Sequence, residues 1–378
     1  MATTELRKEA PESREEAAAL VARCGAEGLA LRVRGGGTKL GWGTPAPDPD
    51  VELSTASLDE LLEHNEGDLT AILEAGVPLA RAQERFAAAG QMLALDPPLG
   101  EGRAATIGGV VASGDSGPLR HRYGAPRDLV LGVTVALSDG TVAKSGGKVI
   151  KNVAGYDLAK LFSASFGTLG LILQVAVRLH PLPAQTATAI GRSDDPDALA
   201  RAAAELAHAS LEKDCLDFRW EGGAGGVLAR LSGATAHAQA EAAQRMLGEA
   251  GLETEIVEDD AELWERQRAG QRSADGAVVR VSGLQAELRR VLQASDVAGG
   301  SLVGRAALGI SWVALAPERV EELRRALAPF PCVVLDAPRE LRASLDVWDS
   351  QPLELARRVK QRFDPAGVFA PGTFAGGI

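Results

Sequence analysis

Three consecutive glycines after a short apolar segment constrain this chain more than any other feature of its sequence. The segment Leu29–Val33 has the character of a β-strand, and Arg34–Thr38 (RGGGT) follows it directly. Residues without a Cβ let the backbone adopt positive φ and bring several N–H groups close to an anion. A second run of small residues, Ala105–Gly117, reads ATIGGVVASGDSG. Together the two runs predict the two walls of a site for a phosphate-bearing cofactor.

The glycine-rich segments of this chain do not fit two familiar nucleotide-binding motifs. A Walker A loop needs GxxxxGK and then Ser or Thr at the start of a helix, whereas Gly146–Val149 (GGKV) lacks the hydroxyl residue. A Rossmann fingerprint needs GxGxxG before a helix, whereas Gly35–Leu40 runs into a loop rich in Trp and Pro. A plain turn is the alternative for a lone triple glycine, so the cofactor site is predicted from the two runs together.

Composition narrows the class of protein. A chain of 378 residues exceeds one typical core, so we expect two domains. The net charge of −11 argues against nucleic acid or an anionic membrane surface as the main partner. Three scattered cysteines, a polar N-terminus and the lack of an apolar stretch of membrane-spanning length predict a cytoplasmic protein with no signal peptide and no integral membrane segment.

The first half of the chain predicts alternating short helices and strands. Ser13 and Glu16 form a capping box, which predicts a helix that stops at Gly25. A second capping box, at Ser57 and Glu60, predicts a helix over 58–65. The other predicted elements are a strand at 69–75, a helix at 79–89, a strand at 91–95, a hairpin of 129–137 and 141–144 through Asp139-Gly140, a helix at 156–163 and a strand at 169–179.

His180–Pro183 (HPLP) breaks this pattern and predicts a domain boundary. Beyond it, two strand–helix–strand cycles predict duplicated split βαβ units that share one antiparallel sheet. The first cycle comprises strands at 186–191, 215–220, 226–231 and 253–257 with helices at 197–208 and 236–250. The second, shorter cycle comprises strands at 278–282, 307–315 and 332–335 with helices at 285–293 and 318–328, and a tail helix follows at 353–363.

Gly114–Pro118 (GDSGP) imitates the nucleophile segment of trypsin-like proteases. Those enzymes carry His, Asp and Ser in that order on two β-barrels, and the only upstream histidine here is His64, inside a predicted helix. We therefore reject a protease. The five histidines form no HxH or HxxxH pair, so no metal site is predicted. His121, among the motifs of the cofactor site, is a candidate for a role near a substrate.

Seven motifs in a fixed order carry a family resemblance. They are RGGGT (34–38), TIGGVVAS (106–113), GPLRHRYG (117–124), RDLVLG (127–132), KNVAGYDL (151–158), GTLG (167–170) and FDPAGV (363–368). The series resembles the vanillyl-alcohol-oxidase/PCMH-type flavoproteins, and most closely the FAD-binding E subunits of bacterial glycolate oxidase. The resemblance spans almost the whole chain. It implies an α+β fold, with a PCMH-type FAD-binding domain of two α/β subdomains and a ferredoxin-like, duplicated α+β cap domain.

The resemblance also implies domain limits and a cofactor site. The FAD-binding domain would span 1–182, with the tail 352–378 packing back on it, and the cap would span 183–351. The amides of residues 34–38 would hold the FAD pyrophosphate. Lys148 and Lys151 are candidates to offset the negative charge of the phosphates; the alternative is that both lysines are solvated at the protein surface. The cofactor-binding residues implied are Arg34, Gly35, Gly36, Gly37, Thr38, Gly108, Gly109, Ala112, Ser113, Gly117, Tyr123, Gly124, Gly167, Thr168, Gly170 and Ile172.

Three departures from the family pattern bear on function. Ala164–Gly167 (ASFG) stands where many catalytic relatives have Gly-Ser-Glu-Gly, and Ala370–Gly372 (APG) stands where their tails read Asn-Pro-Gly. The third is that no HxHxGDGN-type segment, which catalytic 2-hydroxy-acid dehydrogenases of this superfamily use for the substrate, occurs between Pro181 and Ile378. No catalytic residue is therefore assigned.

The resemblance then implies a non-covalent FAD subunit of a glycolate (2-hydroxy acid) oxidase complex. Its partners would be a catalytic FAD subunit and an iron–sulfur subunit that passes electrons toward the membrane quinone pool. These partners could bring the cytoplasmic chain to the inner face of the membrane, and the complex would act on a small 2-hydroxy acid. Two alternatives stay open: a stand-alone FAD-linked oxidase of a hydroxy acid or sugar, with Arg280 as a carboxylate clamp, and a flavin-free scaffold.

Overall fold

The computed structural model describes residues 6–147, 157–350 and 353–378. Lys148, Lys151 and most of the KNVAGYDL motif lie outside the described residues. The chain divides into two compact units. The first contains Met1–Ser116, Gly124–Leu182 and Ser350–Ile378, and the second contains Gly117–Tyr123 and Pro183–Asp349.

Helices and strands alternate along both units. The helices are α1 (Arg14–Glu27), α2 (Leu79–Ala87), α3 (Ile107–Ser113), α4 (Arg120–Tyr123), α5 (Pro126–Leu129), α6 (Ala159–Phe162), α7 (Pro196–His208), α8 (Ala236–Glu249), α9 (Ala261–Ala269), α10 (Leu288–Val297), α11 (Val320–Leu327), α12 (Arg339–Ser344) and α13 (Glu354–Phe363). The strands are β1 (Arg7–Glu9), β2 (Leu31–Arg34), β3 (Val51–Ser54), β4 (Leu61–Asn65), β5 (Thr70–Glu74), β6 (Gln91–Met92), β7 (Val130–Ala136), β8 (Val142–Gly146), β9 (Leu171–Arg178), β10 (His180–Pro181), β11 (Thr186–Ser193), β12 (Lys213–Glu221), β13 (Ala224–Ser232), β14 (Glu253–Val257), β15 (Ala277–Ser282), β16 (Ser301–Arg305), β17 (Ile310–Leu315) and β18 (Cys332–Asp336).

The first unit contains two main sheets. A parallel three-stranded sheet has the order β1-β3-β2, and an antiparallel five-stranded sheet has the order β4-β5-β9-β7-β8. The apolar face of α1 packs with β2 and β3, and Phe369 of the tail joins the same buried cluster. The predicted hairpin is confirmed as β7 and β8, where Gly140 has φ 82° and Thr141 donates its N–H to Asp139.

Two predictions from capping boxes meet different outcomes. Ser13 caps α1 as predicted, but the helix runs past Gly25 and ends at Gly28, which has φ 67°. A Cβ at Gly25 would overlap the carbonyl oxygen of Ser138, so that glycine permits close packing rather than a stop. The predicted helix at 58–65 is wrong. Residues Leu61–Asn65 form β4, because β5 supplies a strand partner that overrides a helix-prone sequence.

The small-residue run contains a helix that the sequence pattern did not reveal. Thr106 caps α3 by accepting a hydrogen bond from the N–H of Gly109, and Gly114 ends the helix with φ 66°. Gly108 is buried against Ala75, since a Cβ added there would lie 2.6 Å from the Cβ of Ala75. Glycine at this position therefore lets α3 pack closely on the chain that follows β5.

The second unit is one antiparallel sheet with the order β14-β11-β13-β12-β16-β17-β15-β18. The sheet consists of two halves of four strands each. Read from its outer edge toward the middle of the sheet, each half has the order fourth, first, third and second strand in the chain: β14-β11-β13-β12 in one and β18-β15-β17-β16 in the other. The halves join where β12 pairs with β16. Helices α7 and α8 pack on β11 and β13. The duplicated split βαβ arrangement predicted for the cap is confirmed.

Two details of the second unit differ from the prediction. The predicted strand at 307–315 is confirmed over Ile310–Leu315 as β17, but it forms a hairpin with β16, a strand that was not predicted, and Gly309 lies in the turn at φ 63°. Helix α9, between the two halves, was not predicted. Its buried Trp264 donates a hydrogen bond to Thr188, so its packing depends on a partner 76 residues away.

Candidate functional site

A pocket in the first unit, here called the glycine pocket, brings the two small-residue runs together. It has a volume of about 120 Å³. One wall is the turn after β2. The other wall is formed by Ala105 and Thr106, which precede α3, and by the residues of α3 that face the turn. The lining residues are Val33, Gly35, Gly36, Gly37, Thr38, Lys39, Leu40, Ala105, Thr106, Gly109, Val110, Ala112, Ser113 and Phe166.

Glycine is required in the first wall for two different reasons. Gly37 has φ 74°, a conformation that a residue with a Cβ rarely adopts. A Cβ at Gly36 would overlap the carbonyl oxygen of Ala104, and one at Gly35 would overlap the hydroxyl of Thr106. The turn can therefore approach the second wall only as bare backbone.

The turn offers hydrogen-bond donors to a ligand. Among the described residues, the N–H groups of Gly35, Gly36 and Gly37 donate to no other protein group. Orphaned amides are costly when they are removed from water, and an anion satisfies several at once. The residues present therefore fit the phosphate groups of a dinucleotide cofactor.

A buried ion pair connects the two walls. Lys39 Nζ lies 3.2 Å from Asp115 Oδ2, with side chains 9% and 3% exposed. Asp115 follows α3 and accepts the N–H of Ser116 at Oδ1, at 3.0 Å. The GDSG sequence thus supplies a helix-ending glycine and a buried carboxylate. Sequence reasoning named neither Lys39 nor Asp115 as a site residue, because the pair joins positions far apart in the chain.

Phe166 was also missed, and it lines the pocket from the loop Ser163–Thr168. Its φ is 55°, an uncommon conformation for a bulky residue, and its N–H donates to the carbonyl of Ala112 at 2.8 Å. Its ring lies 6.4 Å from that of Trp42 and 5.7 Å from that of Phe374. Phe166 and these two aromatic neighbours make this part of the pocket apolar.

The tail holds this loop in place. Lys360 on α13 donates from Nζ to the carbonyl of Thr168 at 2.7 Å and to that of Phe369 at 2.8 Å. Asp364 pairs with Lys360 at 2.6 Å and accepts the N–H groups of Val368 and Phe369. Burial lowers the pKa of Lys360 despite the carboxylate beside it. The FDPAGV motif therefore acts as a structural clamp beside the pocket.

Several residues implied by the resemblance do not line the glycine pocket. Arg34 forms an ion pair with the buried Glu52 at 3.4 Å. Burial acts to raise the pKa of that carboxyl, but Arg32 and Arg34 together outweigh it and lower the pKa below its ordinary value. The pocket lining also lacks Gly108, Gly124, Gly167, Thr168, Gly170 and Ile172.

Gly117 and Tyr123 belong to the second unit. The segment that bears them is anchored by the side chain of Arg305, whose Nε donates to the carbonyl of Gly117 at 3.1 Å. Arg122 also holds it, through an ion pair with the buried Asp214 at 3.0 Å. His121 lies beside Lys213, and burial, together with that ammonium group, lowers its pKa.

Arg305 is the centre of what we call the buried arginine network. The guanidinium, fully buried, donates to Asp217 Oδ2 at 2.9 Å and to Gln271 Oε1, and lies 4.7 Å from the centre of the Trp312 ring. Gln267 donates to the same oxygen of Asp217 at 2.9 Å. Burial raises the pKa of Asp217 to about 6, against the opposing charge of Arg305.

The described part of the chain offers neither a metal centre nor a membrane-spanning helix. In residues 6–147, 157–350 and 353–378, no cluster of three or more His, Cys, Asp and Glu side chains could hold a metal ion. Within the same ranges, every helix is too short or too polar to span a lipid bilayer.

Comparisons with known proteins bear on the cofactor and on the fold. Residues 9–146 match the family model described as FAD binding domain. Glycolate oxidase subunit GlcE of Escherichia coli is 38% identical over 123 residues, 32% of this chain and 35% of that protein. Glycolate oxidase subunit GlcD of Bacillus subtilis is 31% identical over 209 residues, 55% of this chain and 44% of that protein. The mitochondrial D-lactate dehydrogenase [cytochrome] of Arabidopsis thaliana is 32% identical over 180 residues, 48% of this chain and 31% of that protein.

The chain thus spans less than half the length of these curated relatives. A solved structure of alkyldihydroxyacetonephosphate synthase matches with a TM-score of 0.69 and 13% identity, over 95% of this chain and 75% of that one. This likeness shows the fold, which is α+β with the PCMH-type arrangement. Residues 9–146 therefore form an FAD-binding domain, and FAD is the cofactor of this chain.

Proposed function

We propose that this chain is the non-covalent FAD-binding subunit of a glycolate (2-hydroxy acid) oxidase complex of the E-subunit kind. Its partners are a catalytic FAD subunit and an iron–sulfur subunit, and the substrate of the complex is a small 2-hydroxy acid. The chain works on the cytoplasmic side and reaches the membrane through these partners.

The observation that carries the proposal is the glycine pocket, whose backbone amides and ion-paired Lys39 fit a dinucleotide. The 38% identity to a glycolate oxidase subunit GlcE over 123 residues supports the subunit role. The sequence between Pro181 and Ile378 contains no HxHxGDGN-type segment. This supports a role in which another subunit removes the hydroxyl proton of the substrate.

Each wall of the pocket has a distinct task in this proposal. FAD supplies the redox chemistry when it is bound, and the protein positions it. The amides of Gly35, Gly36 and Gly37 hold the pyrophosphate without a formal charge. Phe166 and its aromatic neighbours exclude water from one side of the pocket. Lys360 holds the loop Ser163–Thr168 beside α3 through its hydrogen bond to the carbonyl of Thr168.

The second candidate is a stand-alone FAD-linked oxidase, which the relatives named D-lactate dehydrogenase favour. In that case Arg280 would bind the substrate carboxylate. Arg280 lies on β15, where it pairs in register with Trp312 of β17 and Val333 of β18.

The test uses the purified full chain. Acid precipitation should release yellow FAD into the supernatant, because no covalent link is proposed. Oxidation of glycolate or D-lactate with an artificial electron acceptor should be at least about 10²-fold slower than by the complex isolated from the native cells, since general base catalysis contributes that much or more.

The complex itself is the positive control. A tagged chain expressed in its native cells should co-purify with a second flavoprotein and with iron and sulfide. Rapid, saturable oxidation by the chain alone would instead establish the stand-alone oxidase. Flavin that stays in the acid pellet would contradict the non-covalent link, and a colourless native protein would contradict FAD binding.

A further inference from the structure

Lys39 is distinguished from the other residues that line the glycine pocket by its charge. Among the described lining residues, it is the one with an ionisable side chain. Its position directly follows the glycine turn whose amides are available. Lys148 and Lys151, which the sequence suggested for phosphate charge, lie outside the described residues.

The ammonium group of Lys39 is held but not saturated. It has three N–H donors. Within the described part of the chain, it donates a hydrogen bond to Thr38 Oγ1 at 3.5 Å and forms an ion pair with Asp115 Oδ2 at 3.2 Å, an oxygen that has no hydrogen-bond donor of its own. The indole ring of Trp42 lies 5.7 Å from Nζ. The side chain is therefore fixed on one side by a carboxylate and an aromatic ring and retains donor capacity.

Stability alone gives little reason for this pair. Removing two charges from water costs about as much as their attraction returns, and apolar residues of similar size often do as well. A buried lysine beside orphaned amides gains more if an anion completes its coordination. The FAD pyrophosphate carries two negative charges, which amides alone leave uncompensated.

We propose that Lys39 binds the pyrophosphate of FAD directly and that Asp115 is its positioning residue. The proposal rests on the placement of FAD in the glycine pocket. The carboxylate keeps the ammonium in the pocket through the ion pair between the walls. Asp115 is itself oriented by the N–H of Ser116. Lys39 thus adds a charge to a cradle that is otherwise made of backbone.

The experiment measures dissociation constants of the apoprotein for FAD and for ADP, which shares the pyrophosphate but lacks the flavin. Lys39→Met should weaken both ligands by about 10-fold or more, since a charge-assisted hydrogen bond is lost. The loss should shrink at high salt. Lys39→Arg should restore most of the affinity, and Asp115→Asn should weaken binding by no more than about 3-fold, because the ammonium charge remains.

Lys160→Met is the matched control. Lys160 is an exposed lysine of the same unit that pairs with Asp157 and does not line the pocket. It should leave both dissociation constants unchanged.

A purely structural role for the ion pair would give a different pattern. Lys39→Met and Asp115→Asn would then weaken FAD binding equally, and a variant that carries both substitutions would bind FAD no more weakly than either single variant. This result would overturn the proposal. Loss of FAD affinity without loss of ADP affinity would place Lys39 at the flavin and would also overturn it. If no protein, the wild type included, binds FAD but Lys39→Met still weakens ADP, then the placement of FAD fails while the role of Lys39 in binding a pyrophosphate stands.

Discussion

The glycine pocket of the first unit is built from main chain, whereas the buried arginine network of the second unit is built from side chains. In the pocket, the amides of Gly35, Gly36 and Gly37 make no hydrogen bond within the described protein. In the network, the guanidinium of Arg305 has acceptors on Asp217, Gln271 and the Gly117 carbonyl. The first arrangement leaves donors for a ligand, and the second uses its donors internally.

The two buried ion pairs show the same difference. Lys39 and Asp115 meet at the lining of a pocket, and the lysine retains donor capacity. Arg305 and Asp217 are both completely buried, and the aromatic ring of Trp312 lies over the guanidinium. The comparison teaches that burial of a charge does not by itself indicate a binding site. The distinguishing feature is whether the charged group still faces space that a ligand can fill.

The largest expected effect comes from breaking the arginine network. Arg305→Met should lower the free energy of unfolding of the second unit by about 3–5 kcal/mol, because it leaves the Asp217 carboxylate buried without its counter-charge. Urea unfolding followed by tryptophan fluorescence measures this, since Trp220, Trp264 and Trp312 lie in that unit.

Arg266→Met is the matched control for this variant. Its ion pair with Glu262 is exposed, at 57% and 84% for the two side chains, so the change should stay within about 0.5 kcal/mol. If the two substitutions lower the free energy of unfolding equally, the buried arginine network stabilises the second unit no more than an exposed ion pair does.

The second effect concerns the glycine wall. Gly36→Val should weaken FAD binding by at least about 100-fold, or about 2.7 kcal/mol, because its side chain would overlap the Ala104 carbonyl and separate the two walls. Gly41→Val is the control, since no atom lies within 4 Å of a Cβ built there. Equilibrium dialysis with FAD gives the affinity, and far-ultraviolet circular dichroism shows whether the secondary structure is retained. Stoichiometric FAD in a folded Gly36→Val protein would exclude this wall from the cofactor site.

The smallest effect is a pH dependence. The folded pKa of Asp217, about 6, lies above its ordinary value of 3.8, so the folded state binds the proton more tightly than the unfolded state. The contribution of this group to stability should therefore rise by about 1 kcal/mol as the pH falls from 7 to 5. Unfolding of the wild type and of Asp217→Asn at several pH values isolates this term. Parallel pH profiles for the two proteins would show that the pKa of Asp217 is not raised.

The fold was predictable where local signals and long-range pairing agree. The hairpin through Asp139-Gly140 and the duplicated split βαβ pattern of the second unit follow from turn residues and regular alternation. The helix predicted at 58–65 was wrong because strand β5 decides the conformation of β4. The run that contains α3 has too many glycines to signal a helix. It forms one because Thr106 caps it and Gly108 packs against Ala75.

By itself, the sequence determined that a glycine turn follows β2 and that small residues return near position 108, since both features depend on neighbouring residues. Tertiary structure alone decided that Lys39 would meet Asp115, that Phe166 would enter the pocket, and that Arg305 would find Asp217, 88 positions away. A charged side chain gives the same signal in sequence whether it ends in water or against a counter-charge. Its partner is chosen by packing, because burial is what makes the pairing necessary.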